Sequence, residues 1–426
     1  MSTRHINSPE FKALLTPALM KLGKIYNDNG HELRIVGGAV RDLLISKNPK
    51  DIDLATDATP AESIAILTDM DIEWANKLYD MFGTSDESTD KRDLEDALAS
   101  VANRTGIRIL PTGLKHGTFT AVLNGEDFEI TTLRIDTEQD GRHADVSWTR
   151  DWKTDSDRRD LTMNAMSLDF DGRLYDYHGG EGDLKAGTAK FVGDADSRMI
   201  EDYLRILRYF RFQGRNDTPN FNTATLAAVK RNANGMRQIS GERIWSEFAK
   251  IITGNHTDKV IPYMEVTDVT QHMGMPELNM NEFNRAKQFT NNPASLLAAL
   301  LHNENDVLKV AGSWKLKIED RELARFIVIM RDQDITMDEA MKMYTNSKIK
   351  DEYIVELLKY QGKQDLADNL GSNTKPVFPV SGKDLLAKGL PSGPNIGAIL
   401  KRLENVWKAD GYQEGEGERR RLLGKI

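Results

Sequence analysis

The stretch Leu33-Arg34-Ile35-Val36-Gly37-Gly38-Ala39-Val40-Arg41-Asp42, followed by Lys50-Asp51-Ile52-Asp53-Leu54-Ala55-Thr56, decides how this chain folds. Leu33–Val36 reads as a short strand that stops at a glycine pair, and Ala39–Ile45 reads as a helix of one or two turns. Asp51–Ala55 alternates charged and apolar residues, as a strand does. Residues i and i+2 of a strand share a face, so Asp51 and Asp53 project together. Two ionised carboxylates so placed repel unless a cation sits between them. Mg²⁺ takes few carboxylates and completes its shell with phosphate oxygens, which suits nucleoside triphosphate chemistry. Taken alone, Asp-x-Asp is more often a pair of solvated turn acids. The glycines sharpen the reading: Gly37 and Gly38 let the backbone come close to a triphosphate, and Arg41, one helical turn on, offers a planar fork for phosphate. The competing reading is an ordinary strand-to-helix turn with Arg41 in a surface ion pair.

Outward from this stretch, residues 10–27 carry apolar residues at helical spacing, and Thr59-Pro60-Ala61-Glu62 is a helix start with a capping box. Residues 84–105 are polar and charged and read as a surface insertion. Thr118–Leu123 and Asp127–Arg134 flank Asn124-Gly125, the strongest hairpin signal in the chain. Residues 136–157 are polar with two tryptophans and read as a long mobile loop. Beyond about residue 195 strand signals thin out, and 200–213, 222–231, 242–253, 281–289, 294–302, 320–330, 351–360 and 395–409 read as helices. In the last of these Ile396, Ile399, Leu400, Leu403, Val406 and Trp407 form one apolar stripe, the mark of a packed helix face. The layout is an α/β head followed by a helical remainder.

Composition narrows the field. With 426 residues the chain is too long for one ordinary core. Its 39% hydrophobic and 29% charged content is that of a globular protein, and no apolar run approaches the length of a membrane span. The start of the chain lacks the apolar run of a secretory signal, so a cytoplasmic location is expected. The absence of cysteine excludes disulfides, zinc-thiolate sites and a thiol nucleophile. A net charge of −9 argues against promiscuous nucleic-acid binding, so any basic face has to be local. There is no P-loop, no strand-borne G-x-G-x-x-G and no H-E-x-x-H. Gly415-Glu416-Gly417-Glu418 reads as flexible tail, and Arg419-Arg420-Arg421 as solvated charge.

Three further places carry chemistry. Glu129, on the second hairpin strand, is a candidate third carboxylate, with a solvated strand acid as the equal alternative. In Arg158-Arg159-Asp160-Leu161-Thr162-Met163-Asn164 the adjacent arginines suit phosphate or ribose, with Asp160 and Asn164 to orient them. In Glu201-Asp202-Tyr203-Leu204-Arg205-Ile206-Leu207-Arg208-Tyr209-Phe210-Arg211, the residues Asp202, Arg205, Arg208 and Arg211 step round one side of a helix. Cytosine and adenine each present an amino donor beside an unprotonated ring nitrogen, whereas guanine and uracil present the reverse. A carboxylate accepting from the amino group and a guanidinium donating to the ring nitrogen therefore select C and A, each wrong base costing about 1–3 kcal/mol. Arg208 and Arg211 would fix orientation or bind phosphates. A salt-bridged amphipathic helix is the plain alternative.

These stretches, in this order, resemble the tRNA nucleotidyltransferase/poly(A) polymerase family and its class II CCA-adding enzymes, most of all the eukaryotic type. The resemblance rests on RIVGGAVRDLL with KDIDLATDATP, then RRDLTMNA and EDYLRILRYFRF, with HGTFTAVL, ISGERIW and FPVSGKDL besides. It implies a polymerase-β-like nucleotidyltransferase palm with a mixed or antiparallel sheet, followed by an all-α neck, body and tail. The expected limits are 1–170 for the head, 171–238 for the neck, 239–315 for the body and 316–426 for the tail. It further implies that Asp51 and Asp53 hold Mg²⁺, and that Gly38, Arg41 and Arg159 contact the incoming nucleotide. Asp202 and Arg205 would serve as a template made of protein. The expected partners are tRNA, ATP and CTP, with no membrane, and a monomer or homodimer. The expected reaction is addition of C, C and A to the 3′ end of tRNA. The loop around 136–152 resembles one used in switching from CTP to ATP, which favours complete CCA addition. The alternatives are a poly(A) polymerase, a CC-only or A-only enzyme, and an inactive RNA-binding homologue.

Overall fold

Gly37 ends the first strand as expected, and a mixed sheet assembles around it. A computed structural model describes residues 4–84, 98, 105–139, 144–345, 349–372 and 376–426. The strands are β1 (Leu33–Val36), β2 (Asp53–Thr56), β3 (Ile107–Leu110), β4 (Thr118–Leu123), β5 (Glu126–Thr132), β6 (Arg134–Gln139), β7 (Ala144–Trp148), β8 (Ser167–Leu168) and β9 (Leu174–Tyr175). A 7-stranded sheet runs in the order β3-β4-β5-β2-β1-β8-β9. Its neighbours are antiparallel except β2 and β5, which run parallel. The hairpin β4–β5 turns on Asn124 (φ 55) and Gly125 (φ 82), the two left-handed positions a tight two-residue turn requires. One sheet face packs on the helices Pro17–Asp28 and Pro60–Thr68 in a core that holds Leu19, Leu22, Ile35, Leu54, Ile64, Phe119 and Ile130. The expected capping box at Thr59 is formed with Glu62.

The chain divides into compact units at Met1–Gly274 and Met275–Ile426, a division that falls inside the stretch 239–315. From Ala195 onward no strand occurs among the described residues, as expected. In the second unit the helix Pro293–Leu300 is buried on every side, and Pro394–Ala409 turns Leu403 and Trp407 into a small core with Val380, Leu385 and Leu422.

Several expectations need correction. The helix expected over 10–27 is interrupted at Thr16, whose hydroxyl caps the new helix that starts at Pro17. The segment 136–157 is not a loop. β6 and β7 pair as a separate two-stranded ribbon, and Trp152–Asp157 is a helix capped by the Asp151 side chain. The tip of that ribbon, and most of the insertion at 84–105, lie outside the described residues. The segment after Gly415 is a helix, Glu416–Leu423, with Leu422 buried. Its Arg421 pairs with Asp410 at 2.6 Å and Arg419 pairs with Asp384, so the basic triplet is not simply solvated.

Candidate active site

Val36 faces Asp53 across the β1–β2 pair, so the turn that leaves β1 lies over the acid that opens β2. Gly37 has φ 68 and ψ −124, backbone open to glycine and strained for any other residue. A Cβ placed there would stand 3.7 Å from Asp53 Oδ2. β2 begins at Asp53, so Asp51 lies in the bend just before the strand rather than inside it. Both acids are solvent-facing. Partial burial, and after it the charge of Asp51, raises the Asp53 carboxyl above the usual carboxylate range, with Arg159 opposing. The repulsion that Asp51 exerts on Asp53 is of the kind that a cation between two carboxylates would relieve. Glu129 is the register neighbour of Asp53 on β5, and it too is exposed. Among the described residues, however, no group of three His, Cys, Asp or Glu side chains is gathered to hold a metal unaided. A hard divalent ion held by this acid pair would complete its shell with oxygens from elsewhere, such as phosphate.

Behind this edge runs a chain of polar contacts. Arg41 is buried, donates to Asn164 Oδ1 at 3.1 Å and to Asp42 at 3.0 Å, and lies 5.1 Å from the centre of the Phe212 ring. Asn164 donates in turn to Asp160 Oδ1 at 3.2 Å, and Arg208 donates to Asp160 Oδ2 at 2.6 Å. The glycine turn is thus tied through Asn164 and Asp160 to the helix that carries Arg208. Burial alone would raise the Asp160 carboxyl, but the Arg208 guanidinium and the Asn164 amide outweigh it and hold it below the usual range. This corrects one expectation: Asp160 orients Arg208, not the adjacent arginines.

The acid that orients those arginines is Asp155, which the sequence reading missed. It is 2% exposed, accepts from Arg158 at 2.7 Å and from Arg159 at 3.0 Å, and also accepts the Arg134 backbone N–H. Burial would raise its carboxyl, yet Arg159 and then Arg158 carry it below the ordinary value. The signal was present, since Asp155 stands three and four residues before the arginines. Arg34 fixes the supporting helix, with its guanidinium between the rings of Trp152 (4.0 Å) and Tyr175 (3.6 Å).

The helix expected over 200–213 is broken. It becomes Ala195–Glu201 and Leu204–Gln213, with Asp202 between them in extended conformation. Tyr203 packs against Gly235, where a Cβ would stand 2.0 Å from Tyr203 Cδ1, so this junction is set by tertiary contact. Asp202 accepts from Arg243 at 2.8 Å, whereas Arg205 pairs with Glu201 and donates to the Arg158 carbonyl at 3.3 Å. The carboxylate and the guanidinium are therefore neighbours in sequence, each tied to other partners. Arg211 turns away to Glu247 at 2.7 Å, and burial lowers its guanidinium to about 10 against the opposing pull of Glu247. The structure thus brings together Asp51, Asp53, Gly37 and Arg159 at one edge, links Arg41, Asn164, Asp160 and Arg208 behind it, and sets Arg211 apart.

Comparison with known proteins places this geometry. A model described as the poly A polymerase head domain matches residues 33–103 and 95–190, and one described as a probable RNA and SrmB-binding site of polymerase A matches 220–281. The CCA tRNA nucleotidyltransferase 1, mitochondrial, of Mus musculus is 41% identical, covering 98% of this chain and 92% of the relative. A CCA-adding enzyme of Lactobacillus johnsonii is 28% identical, covering 94% of each. Among solved structures, the CCA-adding enzyme of Bacillus stearothermophilus in complex with CTP aligns with TM-score 0.70 at 23% identity, covering 98% of each chain, which shows a shared fold. The same architecture recurs in the Thermotoga maritima CCA-adding enzyme complexed with tRNA-CCA, at TM-score 0.61 and 22% identity, covering 100% of each chain. With its polymerase-β-like head and helical remainder, the chain belongs to the tRNA nucleotidyltransferase/poly(A) polymerase family and is a nucleotidyltransferase.

Proposed function

We propose that the chain adds C, C and A, from CTP and ATP, to the 3′ end of tRNA without a nucleic-acid template. The observation that carries this reading is the continuity between acids and helix. Asp53 lies in the field of Arg159, and the neighbouring Arg158 carbonyl accepts from Arg205. In this reading triphosphate chemistry and base selection meet through the Arg158-Arg159 pair. Relatives named as CCA-adding enzymes, and solved structures of such enzymes with CTP, ATP and tRNA-CCA, support the same substrates.

Members of this family use a divalent metal. In this reading the ion is Mg²⁺, held by Asp51 and Asp53, with Glu129 beside them. With two ions bound, one would lower the pKa of the attacking ribose hydroxyl and the other would steady the leaving pyrophosphate. The ribose 3′-oxygen joins the α-phosphorus as the bond to the bridging oxygen breaks and pyrophosphate leaves. Gly37 and Gly38 admit the triphosphate, Arg159 and Arg41 balance its charge, and Asp155 keeps Arg159 in place. Asp202 releases Arg243 and Arg205 releases Glu201 to meet the amino group and ring nitrogen of the incoming base. Arg208 holds the helix to Asp160, and Arg211 holds it to Glu247. Residues 1–170 then act as head, 171–238 as neck, 239–315 as body and 316–426 as tail, in a monomer or homodimer.

For location we keep the cytoplasm. No helix among the described residues is long and apolar enough to cross a membrane. The mitochondrial names of the vertebrate relatives make the organelle the alternative that cell fractionation decides.

The deciding experiment supplies each of the four nucleoside triphosphates to purified protein with a tRNA transcript lacking its 3′ CCA. Two C residues followed by one A are expected. Long A-tails on unstructured RNA would instead mark a poly(A) polymerase, a stop after CC a partial enzyme, and no incorporation an inactive homologue.

A further inference from the structure

At the far end of the helix Leu204–Gln213 from Asp202, the described residues form a half-open cavity of about 460 Å³. Its walls include Lys50, Arg211, Gly214, Arg215, Lys250 and Gly254. That volume lies within the range of ligand sites, roughly 300–1,000 Å³. The cations come from separate elements: Lys50 from the segment before β2, Arg211 and Arg215 from the end of one helix, and Lys250 from the helix Gly241–Ile252. A lone arginine at a helix C-terminus is explained by the helix dipole, but a convergence from three elements is not. Glu247 serves two of them, contacting Arg211 at 2.7 Å and Lys250 at 3.1 Å. Among the described residues neither Lys50 nor Arg215 has a carboxylate within ion-pair distance. The field of the group is therefore positive in a protein whose formal charge is −9.

Two glycines, Gly214 and Gly254, are among the lining residues. A Cβ on Gly214 would meet the Asn255 carbonyl and Val260 at 3.0 Å each, so the helix end and the segment after Ile252 are in close contact there. Partial burial, followed by repulsion from Arg41, lowers the Arg215 guanidinium from its ordinary value, with Asp42 and Glu247 opposing.

We propose that this cavity docks the sugar-phosphate backbone of the RNA strand being extended. The inference rests on the reading that the substrate is RNA. Lys50 adjoins Asp51, so a phosphate held here leaves the strand end beside the acids. The incoming nucleotide is assigned to the opposite end of the same helix, roughly 15 Å away at 1.5 Å per residue. One helix then separates the template end from the primer end. The lower wall, Lys250 to Val260, falls in the stretch matched by the RNA-binding model.

The test measures binding of a tRNA transcript lacking CCA across a sodium chloride series, for the full chain and for Lys50→Gln, Arg215→Gln and the double variant. Each single change is expected to weaken RNA binding on the order of tenfold. Each should also reduce the slope of log affinity against log salt by about 0.7, the value for one single-strand phosphate contact. The KM for tRNA rises and that for CTP stays unchanged, and Arg215→Lys recovers most of the affinity. Arg215 is exposed, so Arg215→Gln decides the matter even where the double variant does not fold. Unchanged RNA affinity and salt slope in the folded variant overturn the proposal. So does a raised KM for CTP with RNA binding intact, which would assign the cavity to a triphosphate. Failure of the unaltered protein to bind or extend the transcript would take down the CCA-addition reading as well.

Discussion

Asp53, which faces solvent, and Asp155, which is buried, are treated by the fold in opposite ways. Burial and Asp51 raise the Asp53 carboxyl, so the folded chain bears its ionised form at a cost. Asp155 is held below the ordinary value because Arg159 and Arg158 outweigh its burial. The substitution Asp53→Asn should therefore leave stability equal or higher. Loss of a metal contact worth several kcal/mol should cut nucleotide incorporation by about 10³-fold or more. Urea midpoints and single-turnover rates check this, and a drop in both would make Asp53 structural. Asp155→Ala should do the reverse in kind. It strands Arg158 and Arg159, and breaking a buried pair costs about 3–5 kcal/mol. The urea midpoint should fall sharply, and the KM for CTP should rise in whatever protein remains folded. A stability change within experimental error would mean that Arg158 and Arg159 find other partners.

At the scale of elements, what was legible in the sequence is what local chemistry decides. The glycine turn, the acid pair and the Asn124-Gly125 hairpin follow from backbone preferences within a few residues. The break at Asp202 was hidden because apolar spacing runs on through Met199, Leu204 and Leu207, and only the contact of Tyr203 with distant Gly235 interrupts it. The β6–β7 ribbon stands apart from the main sheet, so its strands carried no one-sided alternation to read. The helix Glu416–Leu423 was masked by its charge, and its ion pairs to Asp384 and Asp410 come from elsewhere in the chain. The Asp202 junction also yields a prediction. Gly235→Ala drives a methyl group into the Tyr203 ring, an overpacking of about 1–3 kcal/mol that the junction can relieve only by moving. Displacing a positioning group by about 1 Å can cost 10²-fold in rate. The variant should lower kcat/KM for CTP and ATP and narrow their advantage over GTP and UTP, with RNA affinity unchanged. Unaltered selectivity would place the base-reading function away from this junction.

For the molecule as a whole, the buried ionisable groups set a particular response to acid. Asp155 and Asp160 have depressed carboxyls in the folded state, as does Glu282 in the second unit, where Arg285 and Tyr360 outweigh burial. For such acids the unfolded chain takes up protons first, so their contribution is full above the unfolded value, about 4, and is lost as pH falls below it. Two histidines act earlier. Burial lowers His178 against the pull of Asp157, and burial with Lys115 lowers His116. A base kept neutral by the fold also contributes fully above its unfolded value, here about 6.5, and loses that contribution as pH falls. Stability should therefore decline in stages, gently from about pH 6.5 and steeply below about pH 4. The urea midpoint measured from pH 8 to pH 3 resolves the stages. Replacing His116 and His178 together by Gln should remove the first and leave the second, because the carboxylate pairs do not depend on either ring. If the early decline persists in that variant, or if the midpoint stays level between pH 5 and pH 3, the arginine-held acids are not what keeps this head folded.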